Sequence, residues 1–122
     1  MIFVTADRSR TQLEGLTKLL ISAFPGSTIY QHLDMLRVPH DILHNKVDAV
    51  IWDAELDKTN GLDLIQMLHR QKPDLPVFVI SQTNNFREEA VNVGANGYFI
   101  LPDEEQQLLD AIQVIKNKEK AS

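Results

Sequence analysis

The sequence predicts an α/β fold, a doubly wound five-stranded parallel sheet with helices on both faces. Short runs of branched and aromatic residues alternate along the chain with segments of helical apolar spacing, the pattern of repeated strand–helix units. Two of the runs, Ala49-Val50-Ile51-Trp52 and Val77-Phe78-Val79-Ile80, are apolar at every position, as expected of strands covered on both faces. The composition, 43% hydrophobic and 24% charged over 122 residues, is that of an ordinary globular domain. A chain of this size buries roughly two-thirds of its unfolded surface, so its core requires no disulfide or structural metal.

The elements follow in order. Ile2 to Ala6 is the first strand, and Ser9 is the N-cap of a helix whose inner face is Leu13, Leu16, Leu19, Leu20 and Phe24. Thr28-Ile29-Tyr30 is the second strand. Between Leu33 and Asn45 the proline at 39 disfavours a continuous helix, so the helix is expected to begin near Pro39. After the third strand, Asn60-Gly61 punctuates the entry to a helix carrying Leu62, Leu64, Ile65 and Leu68. Phe86 to Val93 forms the fourth helix and Tyr98-Phe99-Ile100 the fifth strand. The last helix is expected from about Asp103 to Lys116, with acids in its first turn and lysines at its end, followed by a polar tail to Ser122 that frays. One domain, residues 1–122, accounts for the whole chain.

The totals exclude several classes of function. With no cysteine there is no disulfide framework, thiolate zinc site or cysteine nucleophile, and the reading is of a cytoplasmic protein. No apolar run approaches the roughly 18 residues of a membrane span, and the sequence starts on a short apolar strand rather than a basic region with an apolar signal segment, so no signal peptide is expected. A formal charge of −5 with scattered basic residues leaves no footprint for direct nucleic-acid binding.

In doubly wound sheets the chemistry lies beyond the carboxyl ends of the strands. Those positions hold Asp7 and Arg8, Asp53, Ser81 and Leu101. An aspartate alone after a strand reads most simply as a loop cap. Asp7 and Ser81 at neighbouring strand ends change that, because three polar groups then converge on one crevice with Asp53.

The stretch VDAVIWDAELDKTNGLDLIQMLHRQKPDLPVFVIS, from Val47 to Ser81, and GANGYFILP, from Gly94 to Pro102, resemble the receiver domains of response regulators in two-component (phosphorelay) signal transduction. The resemblance spans nearly the whole chain and implies a flavodoxin-like (CheY-like) fold. It implies that Asp53 is the phosphoacceptor, making this a phosphoprotein, and that Ser81 and Tyr98 are the switch pair, a hydroxyl and a ring that move together. It implies a Mg²⁺ site made by Asp7, Asp53 and Glu55, the last through its backbone carbonyl. A divalent ion neutralises charge on carboxylate and donor, and catalysis of the transfer is mostly positioning and electrostatics.

The chain departs from the family twice. Where the family has two adjacent acids after the first strand, this sequence offers TADRSRTQ; pairing Asp7-Arg8 keeps the helix leucines in phase, while Ala6-Asp7 slips them by one, and either register lacks one acid. Where the family has a lysine before the proline after the fifth strand, this chain has Leu101, which neither donates a hydrogen bond nor carries charge. Mg²⁺ binding is therefore expected to be weakened or absent. Arg8 has two readings: a guanidinium paired with Asp53 in the room of the metal, or a solvated residue before the first helix. The Leu101-Pro102 bond is expected to be cis, as in relatives.

Other residues read as structure. His40 and His44, four apart, lack the further ligands a zinc site requires, and Trp52 is a core residue. Exposure of Phe86 or Phe99 would mark a partner-binding face, and burial would make them core. The resulting expectation is a non-enzymatic receiver domain. Its partners would be a histidine kinase or other phosphodonor protein and a downstream effector or output domain, with a homodimer through the fourth helix, fifth strand and fifth helix. The alternative is a phosphorylation-independent pseudo-receiver acting as a protein–protein interaction module. An enzyme on a flavodoxin-like fold lacks both a glycine-rich phosphate loop and an activated nucleophile. A stand-alone regulator and a domain followed by an output domain after Ser122 both fit the chain.

Overall fold

A computed structural model describes residues 1–56 and 61–121. Ten elements alternate: β1 (Ile2–Ala6), α1 (Arg10–Ala23), β2 (Thr28–His32), α2 (Val38–His44), β3 (Ala49–Asp53), α3 (Gly61–Gln71), β4 (Val77–Ser81), α4 (Arg87–Asn92), β5 (Gly97–Ile100) and α5 (Glu105–Ala121). The strands form one parallel sheet in the order β2-β1-β3-β4-β5. The chain thus winds outward from β1 to one edge and from β3 to the other, and the reversal falls between the carboxyl ends of β1 and β3.

The two-residue period of the strands divides the core. Val4, Ala6, Val50, Trp52, Val77 and Val79 face α2, α3 and α4, while Phe3, Ala49, Ile51, Phe78 and Ile80 meet Leu16 and Leu20 of α1 and Leu108 and Ile112 of α5. Every residue of β4 is buried, as its continuous apolar run requires. Trp52 is fully buried, in keeping with its core reading. Phe86 and Phe99 are half-buried, each against one of the two cores, so neither provides an exposed aromatic anchor.

The capping expectation for α1 holds: Ser9 Oγ accepts from the Gln12 N–H at 3.2 Å. Helix α2 begins at Val38 with Pro39 in its first turn, where a missing N–H costs nothing. Asn60 and the side chain of Leu62 lie outside the described residues. The last helix differs from expectation: it starts at Glu105 and continues to Ala121, so the segment from Lys116 is helical rather than a frayed tail. Three contacts hold that end. Gln113 donates to Asn117 at 2.9 Å, Lys116 Nζ sits 5.7 Å from the centre of the Phe24 ring, and the Glu119 carboxyl hydrogen-bonds Asp48 at the entrance to β3. No helix of the described residues is long and apolar enough to cross a membrane.

Candidate functional site

The crevice at the β1/β3 reversal collects the residues at the strand ends. A cavity of about 370 Å³ is lined by Asp7, Arg8, Asp53, Ser81 and Leu101, the strand-end residues, together with Glu55 and others. Tyr98 stands apart, on the other side of the sheet's rim. It is buried and its hydroxyl donates to the Thr83 carbonyl at 2.6 Å.

Asp7 follows β1 and is 1% exposed, an unusual burial for a carboxylate. Its Oδ1 accepts the Ser9 N–H at 2.8 Å, and its carboxyl hydrogen-bonds that of Asp53. With its amide oriented to satisfy both neighbours, Gln12 donates to Asp7 Oδ2 at 2.6 Å and accepts from Gln82 at 2.8 Å. Sequence reasoning missed this role. Ser9-Arg10-Thr11-Gln12 has the spacing of a capping box, in which the glutamine would accept from the Ser9 N–H. Here Asp7 takes that N–H and draws the glutamine to itself.

Asp53 ends β3, and its Oδ1 accepts the Glu55 N–H at 3.1 Å. Burial, with the nearby charges of Asp7 and Glu55, pushes its carboxyl up to about 6, against the lowering pull of the Glu55 N–H and of Arg8. Burial also raises Asp7, while its hydrogen bonds to Ser9 and Asp53 and the charge of Arg8 pull the other way. Two adjacent carboxylates that resist ionising together are a site that lacks a counter-charge.

Arg8 does not supply it. The side chain is exposed, and the two ion pairs among the described residues are His32–Asp41 and Arg87–Glu104. The reading in which Arg8 pairs with Asp53 is therefore corrected: Arg8 lies exposed at the rim of the crevice and acts on the carboxylates through its field. Leu101 lines the crevice, its N–H bonded to the Ser81 carbonyl at 2.9 Å, and the Leu101-Pro102 bond is cis.

The donor set suits a hard cation. Asp7 and Asp53 bring two carboxylates to one crevice that Glu55 also lines. Mg²⁺ held by one or two carboxylates keeps its waters and exchanges some for phosphoryl oxygens. Among the described residues no three or more acids, histidines or cysteines are grouped so that they could hold a metal ion together.

Ser81 is 5% exposed, and its Oγ accepts from the Thr83 N–H at 3.1 Å. Through Thr83, whose carbonyl takes the Tyr98 hydroxyl, the serine and the ring are joined in one chain of hydrogen bonds. Arg87 brackets that ring. Its guanidinium carbon lies 4.9 Å from the Tyr98 ring centre, Nη1 donates to the Tyr98 carbonyl at 3.3 Å, and Nη2 meets Glu104 at 3.4 Å. Glu104 in turn accepts the Ile100 N–H at 2.8 Å. Neither Arg87 nor Glu104 is marked by spacing in the sequence; only the approach of α4 and α5 to β5 gives them a role.

Comparison with known proteins agrees with this geometry. The family model described as the response regulator receiver domain matches residues 3–113. The stress response regulator protein 1 of Lodderomyces elongisporus is 30% identical over 89 residues, covering 71% of this chain and 24% of that protein. The glycerol metabolism activator of Pseudomonas putida is 25% identical over 107 residues, covering 85% and 48%. The chain thus spans about a quarter to about half of the length of these curated relatives. Among solved structures, a response regulator receiver domain protein from Clostridium thermocellum superposes with a TM-score of 0.82 at 22% identity, covering 98% of this chain and 97% of that one. The signal receiver domain of an HD domain-containing protein from Pseudomonas fluorescens gives 0.83 at 23% identity, covering 99% and 98%. At these identities the superpositions speak for the fold, the flavodoxin-like, CheY-like arrangement. The matched model covers most of the chain, from β1 into α5, and the chain belongs to the family of response-regulator receiver domains of two-component signalling.

Proposed function

We propose that this receiver domain, occupying residues 1–122, accepts a phosphoryl group on Asp53 through a site of reduced cation content. The observation that carries the reading is the convergence of Asp53, Asp7 and Ser81 on one crevice, with Ser81 linked through Thr83 to Tyr98. Receiver domains interact with histidine kinases and with output domains, and a kinase or other phosphodonor protein is the proposed source of the group. Asp7, Asp53 and the Glu55 carbonyl would hold Mg²⁺, which supplies charge neutralisation between carboxylate and phosphoryl donor. Asp53 Oδ attacks phosphorus as the bond from phosphorus to the donor breaks, the donor leaving without its phosphoryl group, and the Glu55 N–H orients the carboxylate. Ser81 donates its hydroxyl to the phosphoryl oxygens, and a turn of its side chain towards them would move the Oγ that now accepts the Thr83 N–H and so carry the signal towards Tyr98. Leu101 contributes no charge, so the acyl phosphate is stabilised less than where a cation faces it. The cell compartment proposed is the cytoplasm. The domain is proposed as a signalling module rather than an enzyme, without direct contact to nucleic acid or membrane. A homodimer through α4, β5 and α5 belongs to the same proposal, and Val91, 57% exposed on α4, is an apolar side chain such a contact would cover.

The test is beryllofluoride, a phosphoryl mimic, added with Mg²⁺ and followed by thermal denaturation. Stabilisation of the wild type and none of Asp53→Asn supports the reading; equal responses of the two proteins contradict it.

A second reading is the pseudo-receiver, a protein-interaction module that works without phosphate. It is favoured by the bracket of Arg87 and Glu104 around an already buried Tyr98. An Asp53→Ala strain indistinguishable from wild type in signalling output would support it over the first.

A further inference from the structure

Beyond the carboxylates the crevice continues as an apolar groove that phosphoryl transfer does not use. Leu16 and Leu19 of α1, Ile80 of β4, and Leu101 and Pro102 before α5 line it, within the same cavity of about 370 Å³. That is a volume typical of small-molecule sites, which are mostly apolar with a few convergent polar groups. Gly15 on α1 helps keep the groove open: a Cβ built there meets nothing within 4 Å. The polar end is strongly biased. Asp7, Asp53, Glu55 and Glu105 face Arg8 as the lone cation in the lining, and Arg8 is exposed and outside the ion pairs of the described residues.

An anion is repelled by that end, and a neutral apolar molecule leaves its carboxylates without a cationic partner, since neither is in the ion pairs of the described residues. A metal ion uses the acids but not the groove. The arrangement complements a molecule that is both apolar and cationic. We propose that the crevice binds a small amphipathic amine, its ammonium on Asp7 and Asp53 and its apolar body along Leu16, Leu19, Ile80, Leu101 and Pro102. An ammonium has three donors and no acceptor, which matches carboxylates that otherwise share a hydrogen bond with each other. The proposal extends the phosphoacceptor reading of the same site. Amine and Mg²⁺ require the same two carboxylates, so each weakens the other's binding, and a bound amine holds the domain unphosphorylated.

The experiment is a calorimetric titration of the full chain, free of divalent ions, with three probes of equal body: phenylbutylamine, phenylbutanol and phenylbutyrate. The amine is expected to bind at least about ten-fold more tightly than the alcohol, the difference of one charge-assisted hydrogen bond, and the acid most weakly. Gly15→Leu, which places a side chain in the groove and removes a helix-interior glycine, is expected to weaken the amine about ten-fold or more, with circular dichroism reporting its fold. Leu101→Lys, which brings an ammonium of the chain's own to the same end, is expected to do likewise. Equal affinity for amine and alcohol, or amine binding untouched by both substitutions, overturns the proposal. Because no phosphodonor is present, amine binding stands or falls independently of whether Asp53 accepts a phosphoryl group.

Discussion

Replacing Asp53 with asparagine is expected to make the metal-free domain more stable, not less. The native carboxyl is raised from 3.8 to about 6, chiefly by burial. A carboxyl whose folded value lies above its unfolded one favours the native state fully at pH below 3.8, and that contribution is lost as the pH climbs through about 6. Above that, the ionised group penalises folding. The full shift converts to about 3 kcal/mol. Partial exposure and the hydrogen bond shared with Asp7 reduce this to about 1–2 kcal/mol. Asparagine removes the charge while its amide oxygen still accepts from the Glu55 N–H, which the aspartate now does at 3.1 Å. In a chelator at pH 7.5, Asp53→Asn is therefore expected to melt about 3–8 °C above wild type, with the gap narrowing towards pH 4. Adding Mg²⁺ reverses the order, because wild type gains binding energy that the variant lacks. Thermal denaturation at two pH values, with and without Mg²⁺, reads all of this. A variant less stable than wild type in chelator at pH 7.5 refutes the reasoning, since it means that a cation of the protein already compensates Asp53.

Four further substitutions probe the scaffold. Tyr98→Phe removes the 2.6 Å bond to the Thr83 carbonyl and is expected to cost about 1–2 kcal/mol in urea denaturation, with no change if that bond is absent in solution. Gly94 and Gly26 both have positive φ, 103° and 83°, but a Cβ on Gly94 would lie 2.9 Å from the His69 ring while one on Gly26 meets open space. Gly94→Ala is therefore expected to cost about 2–3 kcal/mol and Gly26→Ala about 1, by the same measurement. Gly15→Ala, in the interior of α1 with nothing near the new methyl, is expected to stabilise by about 0.5–1 kcal/mol.

What the sequence made legible follows from the reach of each signal. The continuous apolar runs at Ala49–Trp52 and Val77–Ile80, short and rich in branched residues, read as strands covered on both faces, and their ends located Asp53 and Ser81 without knowledge of the loops. The end of α5 was not legible, because what extends it past Lys116 is tertiary: the Phe24 ring and Asp48 lie far away in the chain. Gln12 was hidden for a related reason. Its spacing from Ser9 signals a local cap, and only the burial of Asp7 beside it redirects the amide. For Arg8 the sequence left two readings open, and only the fold decides between them: Asp7 is buried and Arg8 exposed, so the solvated reading holds. The bracket of Arg87 and Glu104 joins three elements through side-chain rotamers, which no periodicity encodes.

The most direct test of the central claim is the intact mass of the chain after incubation with acetyl phosphate and Mg²⁺, run beside Asp53→Asn and a receiver domain with a complete acid pair and lysine. The account predicts that the wild type gains one phosphoryl group, more slowly than the complete receiver, and that Asp53→Asn gains none. A wild type that stays unlabelled while the complete receiver is phosphorylated, or a variant that labels as well as wild type, contradicts it.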